Sequence, residues 1–156
     1  MYIGKYSKAG FPTDLKIGMS DSNLVLIIED DPLISRMYQT VFKFDGFEVE
    51  MARDGAEGIA KLKEHKPVMI LLDIMMPKMT GIEVLGDIKS NPATKNIPVI
   101  VLTNLSGAED AEKAIEMGAV KYIVKSANKP KEIVAQVKEV LAGYTRQNVP
   151  KAAVKK

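Results

Sequence analysis

The sequence contains no cysteine, no tryptophan and only one histidine, His65. Without cysteine there are no disulfides, no thiolate metal sites and no thiol nucleophile. One histidine cannot build a multi-histidine metal centre, and beside Lys66 and Pro67 it reads as a solvated residue at a helix end rather than as part of a catalytic triad. An excess of one charge is missing too. The formal net charge is +2, too small to imply direct nucleic-acid binding. No apolar run reaches the roughly 18 residues of a membrane span. The first residues lack the apolar core of a secretory leader, so the cytoplasm is the expected location.

What is present fits one globular domain: 156 residues, 46% hydrophobic and 27% charged. A chain of this length buries roughly 70% of its unfolded surface, enough for a proper core. Residues 1–22 carry Gly4, Gly10, Pro12 and Gly18 without sustained periodicity and read as a flexible extension. The domain is expected over 23–143. Residues 144–156 form a basic tail with Arg146, Lys151, Lys155, Lys156 and no acid; setting these four aside leaves 18 basic against 20 acidic residues. The tail reads as a frayed, solubilising end, with docking to an anionic partner as the alternative.

From Leu24 strands and helices alternate. Leu24–Ile28 (LVLII) is a solid apolar run, as in a parallel strand covered on both faces. Asp31 is placed to cap a helix that opens with Pro32; Leu33, Met37, Val41 and Phe44 recur at near-helical spacing and Gly46 ends it. Phe47–Met51 is a short second strand. Asp54 and Glu57 start a helix reaching about Lys66. Val68–Leu72 is the third strand, and Thr80 with Glu83 starts a helix to about Ser90. Val99–Leu102 is the fourth strand, followed by a helix over Ala108–Met117. Tyr122–Val124 is the fifth strand. Pro130 opens a last helix with Ile133, Val134, Val137, Val140 and Leu141 on one face, ended by Gly143. This (βα)5 pattern predicts an α/β fold: a doubly wound parallel sheet with right-handed crossovers.

In such a sheet ligands bind beyond the carboxyl ends of the strands. Strand one is followed by Glu29, Asp30 and Asp31, strand three by Asp73, strand four by Thr103 and strand five by Lys125. Each alone has an ordinary reading, since an Asp after a strand is usually a cap or turn former. Together they form a coherent chemical set. Clustered carboxylates stay ionised only beside a counter-charge. Oxygen donors without His or Cys suit a hard cation, Mg²⁺ before Ca²⁺. A carboxylate can attack phosphorus to give an aspartyl phosphate, and a lysine and a hydroxyl can hold the remaining phosphoryl oxygens.

At this point the sequence resembles the receiver domain of bacterial two-component response regulators, in the form of a stand-alone, chemotaxis-regulator-like receiver. Leu71–Gly81, LLDIMMPKMTG, matches the family's D-x-x-M-P-x-M-x-G loop; Glu29–Asp30, Thr103 and Lys125 stand in the family's order and spacing. The resemblance covers residues 24–142 and implies a flavodoxin-like sheet of order 2-1-3-4-5. It implies Asp73 as phosphoacceptor, and a Mg²⁺ site of Glu29, Asp30, Asp73 and the Met75 carbonyl, with Asp30 direct and Glu29 through water. Lys125 would pair with the phosphoryl group, Thr103 would swing inward to bond it, and Tyr122 would follow. Asp31 is left as helix cap or further ligand. The implied partners are a sensor histidine kinase or histidine phosphotransfer protein, and a downstream protein bound through roughly Ala108–Ala142. No direct binding of nucleic acid or membrane is expected, and the expected state is a monomer or a weak phosphorylation-dependent dimer. The chain would be a phosphoacceptor rather than an enzyme.

Two departures stand out. Ser126 follows the lysine where the family commonly has a proline in a cis peptide, and Asn104 follows Thr103 where a small residue is usual. Met75 and Leu105, two positions after Asp73 and Thr103, cannot orient a hydrolytic water, which predicts a long-lived aspartyl phosphate. Other classes fit less well. A phosphatase resembling the haloacid dehalogenases needs a second Asp where Met75 stands, and a flavin phosphate would meet an acidic rim. A degenerate receiver that only binds partners would not need Asp73, Thr103 and Lys125 together.

Overall fold

The computed structural model describes residues 23–104 and 108–147. Five strands, β1 (Leu24–Ile28), β2 (Glu48–Ala52), β3 (Met69–Asp73), β4 (Val99–Thr103) and β5 (Lys121–Val124), form one parallel sheet in the order β2-β1-β3-β4-β5. The helices between and after them are α1 (Pro32–Phe44), α2 (Gly55–Leu62), α3 (Gly81–Ser90), α4 (Ala108–Glu116) and α5 (Pro130–Gln147).

Side chains alternate across a strand, so each central strand feeds two cores. Leu26, Ile28, Ile70, Leu72, Val99 and Val101 face one side, where Leu62, Val84, Leu85, Ile88 and Ala114 of α2, α3 and α4 cover them. Val25, Ile27, Met69, Leu71, Ile100 and Leu102 face the other, under Tyr38 and Phe42 of α1 and Ile133, Val134, Val137 and Leu141 of α5. Burial on both faces is why β1 is apolar throughout and β3 and β4 are apolar up to their last residues, Asp73 and Thr103.

Local chemistry sets the helix starts. Asp31 accepts the N–H groups of Leu33 (2.9 Å) and Ile34 (3.3 Å), and Asp54 accepts that of Glu57 (2.8 Å). Thr80 and Glu83 form a reciprocal capping box. Gly46, at φ 96°, supplies the left-handed residue after α1.

Three expectations need correction, and α1 settles a point that its spacing left open. Of Leu33, Met37, Val41 and Phe44, Val41 packs half-buried against the core while Leu33, Met37 and Phe44 are 75%, 47% and 86% exposed; Tyr38 and Phe42 are the buried residues. Helical spacing identifies a helix but not which of two apolar stripes the sheet covers. α2 ends at Leu62, because the N–H groups of Lys63 and Glu64 turn to carbonyls three residues back ahead of Pro67. Gly143 does not end α5, which runs to Gln147. A glycine inside a helix costs only about 1 kcal/mol and need not stop it. Strands β2 and β3 run one residue later than expected: Phe47 packs in the core beside Phe42, and Asp73 pairs in the ladder with Leu102.

Candidate functional site

The site lies at the carboxyl ends of β1, β3, β4 and β5. Glu29 follows β1 directly, and its N–H donates to the carbonyl of Ala52. Its side chain is 1% exposed, and Oε2 accepts the N–H of Asp31 at 3.1 Å. Asp73 closes β3 with its side chain 2% exposed, and Oδ1 accepts the N–H of Met75 at 3.0 Å. Lys125 reaches in from the far side of the sheet. Its Nζ lies 3.2 Å from Glu29 Oε1 and 3.3 Å from Asp73 Oδ2.

Two carboxylates therefore share one ammonium in a buried place. Burial foremost, then the charge of Asp73, pushes Glu29 up to about 7. Burial likewise holds Asp73 above the usual carboxylate range, although Lys125 and the Met75 N–H oppose it. Burial works against the Lys125 ammonium, but Asp73 and Glu29 outweigh it and hold its pKa above the ordinary value. On α1 beneath the site, burial and then the same two carboxylates raise the Tyr38 phenol. The site thus carries more negative charge than its one lysine neutralises.

The donor set fits a hard cation. Glu29, Asp30 and Asp73 each offer a carboxylate oxygen within 4.8 Å of the others, with Asp30 on the exposed side. Oxygen-only donors and a shortfall of positive charge are what a divalent ion would answer. The Asp31 carboxylate is engaged instead as the cap of α1.

The other expected residues are near but not all engaged. Thr103 is buried at the end of β4, and its hydroxyl donates to the carbonyl of Asn104 at 3.0 Å. Met75 contributes its N–H to Asp73 while its side chain is half exposed. Tyr122 points outward from β5, 45% exposed. Every described peptide is trans, Lys125–Ser126 included. Leu105, residues 1–22 and residues 148–156 lie outside the described residues.

Two backbone features hold the Asp73 loop. Gly81 sits where a Cβ would run into the carbonyl oxygen of Asp73 and stand 2.6 Å from the Cα of Ile74, so only glycine lets α3 start this close to β3. Lys78 has φ 67°, and the Met79 N–H bonds back to the Pro77 carbonyl at 2.8 Å, a tight three-residue turn.

Two features of the site had no signal in the sequence. Glu29 pairs directly with Lys125 across 96 residues of chain. Asn128 and Gln136 bond to each other beneath the Lys125 turn.

The family model for the response regulator receiver domain matches residues 25–138. Protein PilG of Pseudomonas aeruginosa is 34% identical over 126 residues, which cover 81% of this chain and 93% of that protein. The DNA-binding response regulator MtrA of Mycolicibacterium smegmatis is 33% identical over 114 residues, 73% of this chain but 48% of that protein. A probable cyclic di-GMP phosphodiesterase of Vibrio cholerae is 39% identical over 107 residues, 24% of its length. The chain thus spans about half or less of several curated relatives it matches. Among solved structures, a CheY-like receiver domain protein of Methanospirillum hungatei superposes with TM-score 0.74 at 28% identity, covering 81% of this chain and 98% of that one. CheY4 of Vibrio cholerae superposes with TM-score 0.70 at 29% identity, covering 76% and 98%.

Proposed function

The chain belongs to the response regulator receiver domain family, whose members are phosphorylation-dependent switches of two-component signalling, and from that premise we propose that Asp73 is its phosphoacceptor. The donor is a phosphohistidine on a sensor histidine kinase or histidine phosphotransfer protein. In the transfer, a bond forms between phosphorus and an Asp73 oxygen while the bond to the imidazole nitrogen breaks. The imidazole keeps the electron pair.

The observation that carries this reading is the part-buried Lys125 ammonium 3.3 Å from Asp73, with Glu29 and Asp30 beside it. Phosphoryl transfer is achieved mostly by positioning and charge neutralisation. Lys125 is placed to hold one phosphoryl oxygen, and Thr103 can take another by turning its hydroxyl away from Asn104. Glu29, Asp30, Asp73 and the Met75 carbonyl would hold Mg²⁺, which when bound neutralises phosphoryl charge. The half-exposed Tyr122 ring is free to move into the space that Thr103 leaves. The switch then biases two arrangements of the α4, β5, α5 face, which binds a downstream protein. The protein acts in the cytoplasm as a phosphoacceptor, not as a turnover enzyme. Among the described residues, no helix is long and apolar enough to cross a membrane.

Incubation with acetyl phosphate and Mg²⁺, followed by intact-mass measurement, tests this. The parent gains one phosphoryl group and Asp73→Asn gains none. Labelling of Asp73→Asn at full yield overturns the assignment. No uptake by the parent favours a receiver that only binds partners.

A further inference from the structure

Lys125 enters the site from the first residue of the β5–α5 connection, and no proline stiffens that connection between Val124 and Lys129. A single turn of 3₁₀ helix, Lys125–Ala127, carries it, with Ser126 and Ala127 exposed. What closes the turn is Asn128. Its Nδ2 donates to the Val124 carbonyl at 2.9 Å, and its Oδ1 accepts from Gln136 Nε2 at 3.0 Å. Its N–H also points back at the Lys125 carbonyl, at 3.5 Å. A carbonyl can only accept, so the contact with Val124 fixes which way round the amide sits. One side chain thus ties the end of β5 to the second turn of α5, across the turn from which Lys125 projects.

We propose that Asn128, held by Gln136, is a positioning residue that sets the Lys125 ammonium for phosphoryl transfer at Asp73. The inference rests on the role given to Lys125 above. A lysine side chain is a flexible four-carbon stem with a compact charge. Contacts at 3.2 and 3.3 Å to two buried carboxylates require its backbone end to stay in place. Misplacement by about 1 Å is enough to cost up to about a hundredfold in rate. The side-chain hydrogen bonds of Asn128 and Gln136 go to Val124 and to each other, not to the carboxylates, so both act through the lysine. The same tether explains how Ser126 is accommodated with an ordinary trans peptide: two amide hydrogen bonds fix the turn.

The test uses the full chain, acetyl phosphate and Mg²⁺. The rate of phosphoryl uptake is followed by intact mass in the parent, Asn128→Ala, Lys125→Ala and the double variant. Asn128→Ala should slow uptake about tenfold, and this slowing should vanish in the Lys125→Ala background, as a cycle demands of residues acting through one group. Asn128→Asp keeps the shape but loses the donor to Val124, and should slow uptake as well. The Lys125 side-chain NMR resonances should shift in Asn128→Ala and in Gln136→Leu. Equal slowing in both backgrounds, no slowing, or an unmoved Lys125 resonance overturns the inference. A parent that takes up no phosphoryl group overturns the proposed function instead, and the lysine resonance then decides the clamp alone.

Discussion

Gly81 packs its bare Cα against the carbonyl of Asp73, so the residue that opens α3 and the residue that ends β3 cannot be separated by even one methyl group. The contact couples the stability of the fold to the position of the candidate phosphoacceptor. Gly81→Ala should therefore lose about 1–3 kcal/mol of stability, the usual cost of overpacking. Gly143→Ala should behave oppositely. Nothing lies within 4 Å of its missing Cβ and it sits inside α5, so alanine should add up to about 1 kcal/mol. Urea unfolding of the two variants checks both signs; a destabilising Gly143→Ala would contradict the continuous helix.

The two phenylalanines near the end of α1 should differ widely. Phe42 is fully buried and meets Phe47 edge-on with ring centroids 5.5 Å apart, whereas Phe44 is 86% exposed. Phe42→Ala should cost about 3–5 kcal/mol, and Phe44→Ser no more than about 0.5 kcal/mol. Thermal or urea melts of the pair measure this, and comparable losses would mean that α1 packs through its other stripe.

Metal-free protein should lose stability as pH rises through the range set by Glu29. Its carboxyl keeps a proton up to about 7 in the fold but only to about 4.5 in the unfolded chain. Between those values the folded state binds more protons, so stability falls with increasing pH. Glu29→Gln should flatten that part of the profile and raise stability at pH 8 in the presence of a chelator. Melts from pH 4 to 8 decide it; a variant with the parent's slope would show that another group is responsible.

Asp30 and Asp31 should separate metal binding from capping. Asp30 belongs to the carboxylate cluster, while Asp31 caps α1. Asp30→Ala should weaken Mg²⁺ binding tenfold or more, about 1.4 kcal/mol per decade. Asp31→Ala should leave Mg²⁺ affinity near the parent's and cost about 1 kcal/mol of stability. Mg²⁺ titrations alongside melts measure both, and the reverse ranking would mean that the acidic run is in another register.

The sequence by itself determined the order and kind of the elements. Doubly covered strands must be apolar up to the rim, as LVLII and VIVL are, and caps such as Thr80 with Glu83 act within four residues. It also determined which polar residues reach one rim, because in a parallel sheet every strand delivers its last residue to the same edge. Tertiary structure decided what depends on partners distant in the chain. Which stripe of α1 is buried follows from the sheet beneath it, not from helical period, so Phe42 rather than Phe44 enters the core. Gly143 does not stop α5, because glycine's preference of about 1 kcal/mol is too weak to end a helix alone. The pairing of Glu29 with Lys125 arises because folding brings the β1 rim and the β5–α5 turn together, whereas the Asn128–Gln136 bridge joins residues eight apart where that turn meets α5. No local pattern encodes the Glu29–Lys125 contact, since both residue types are common and the geometry between them exists only once the sheet has formed.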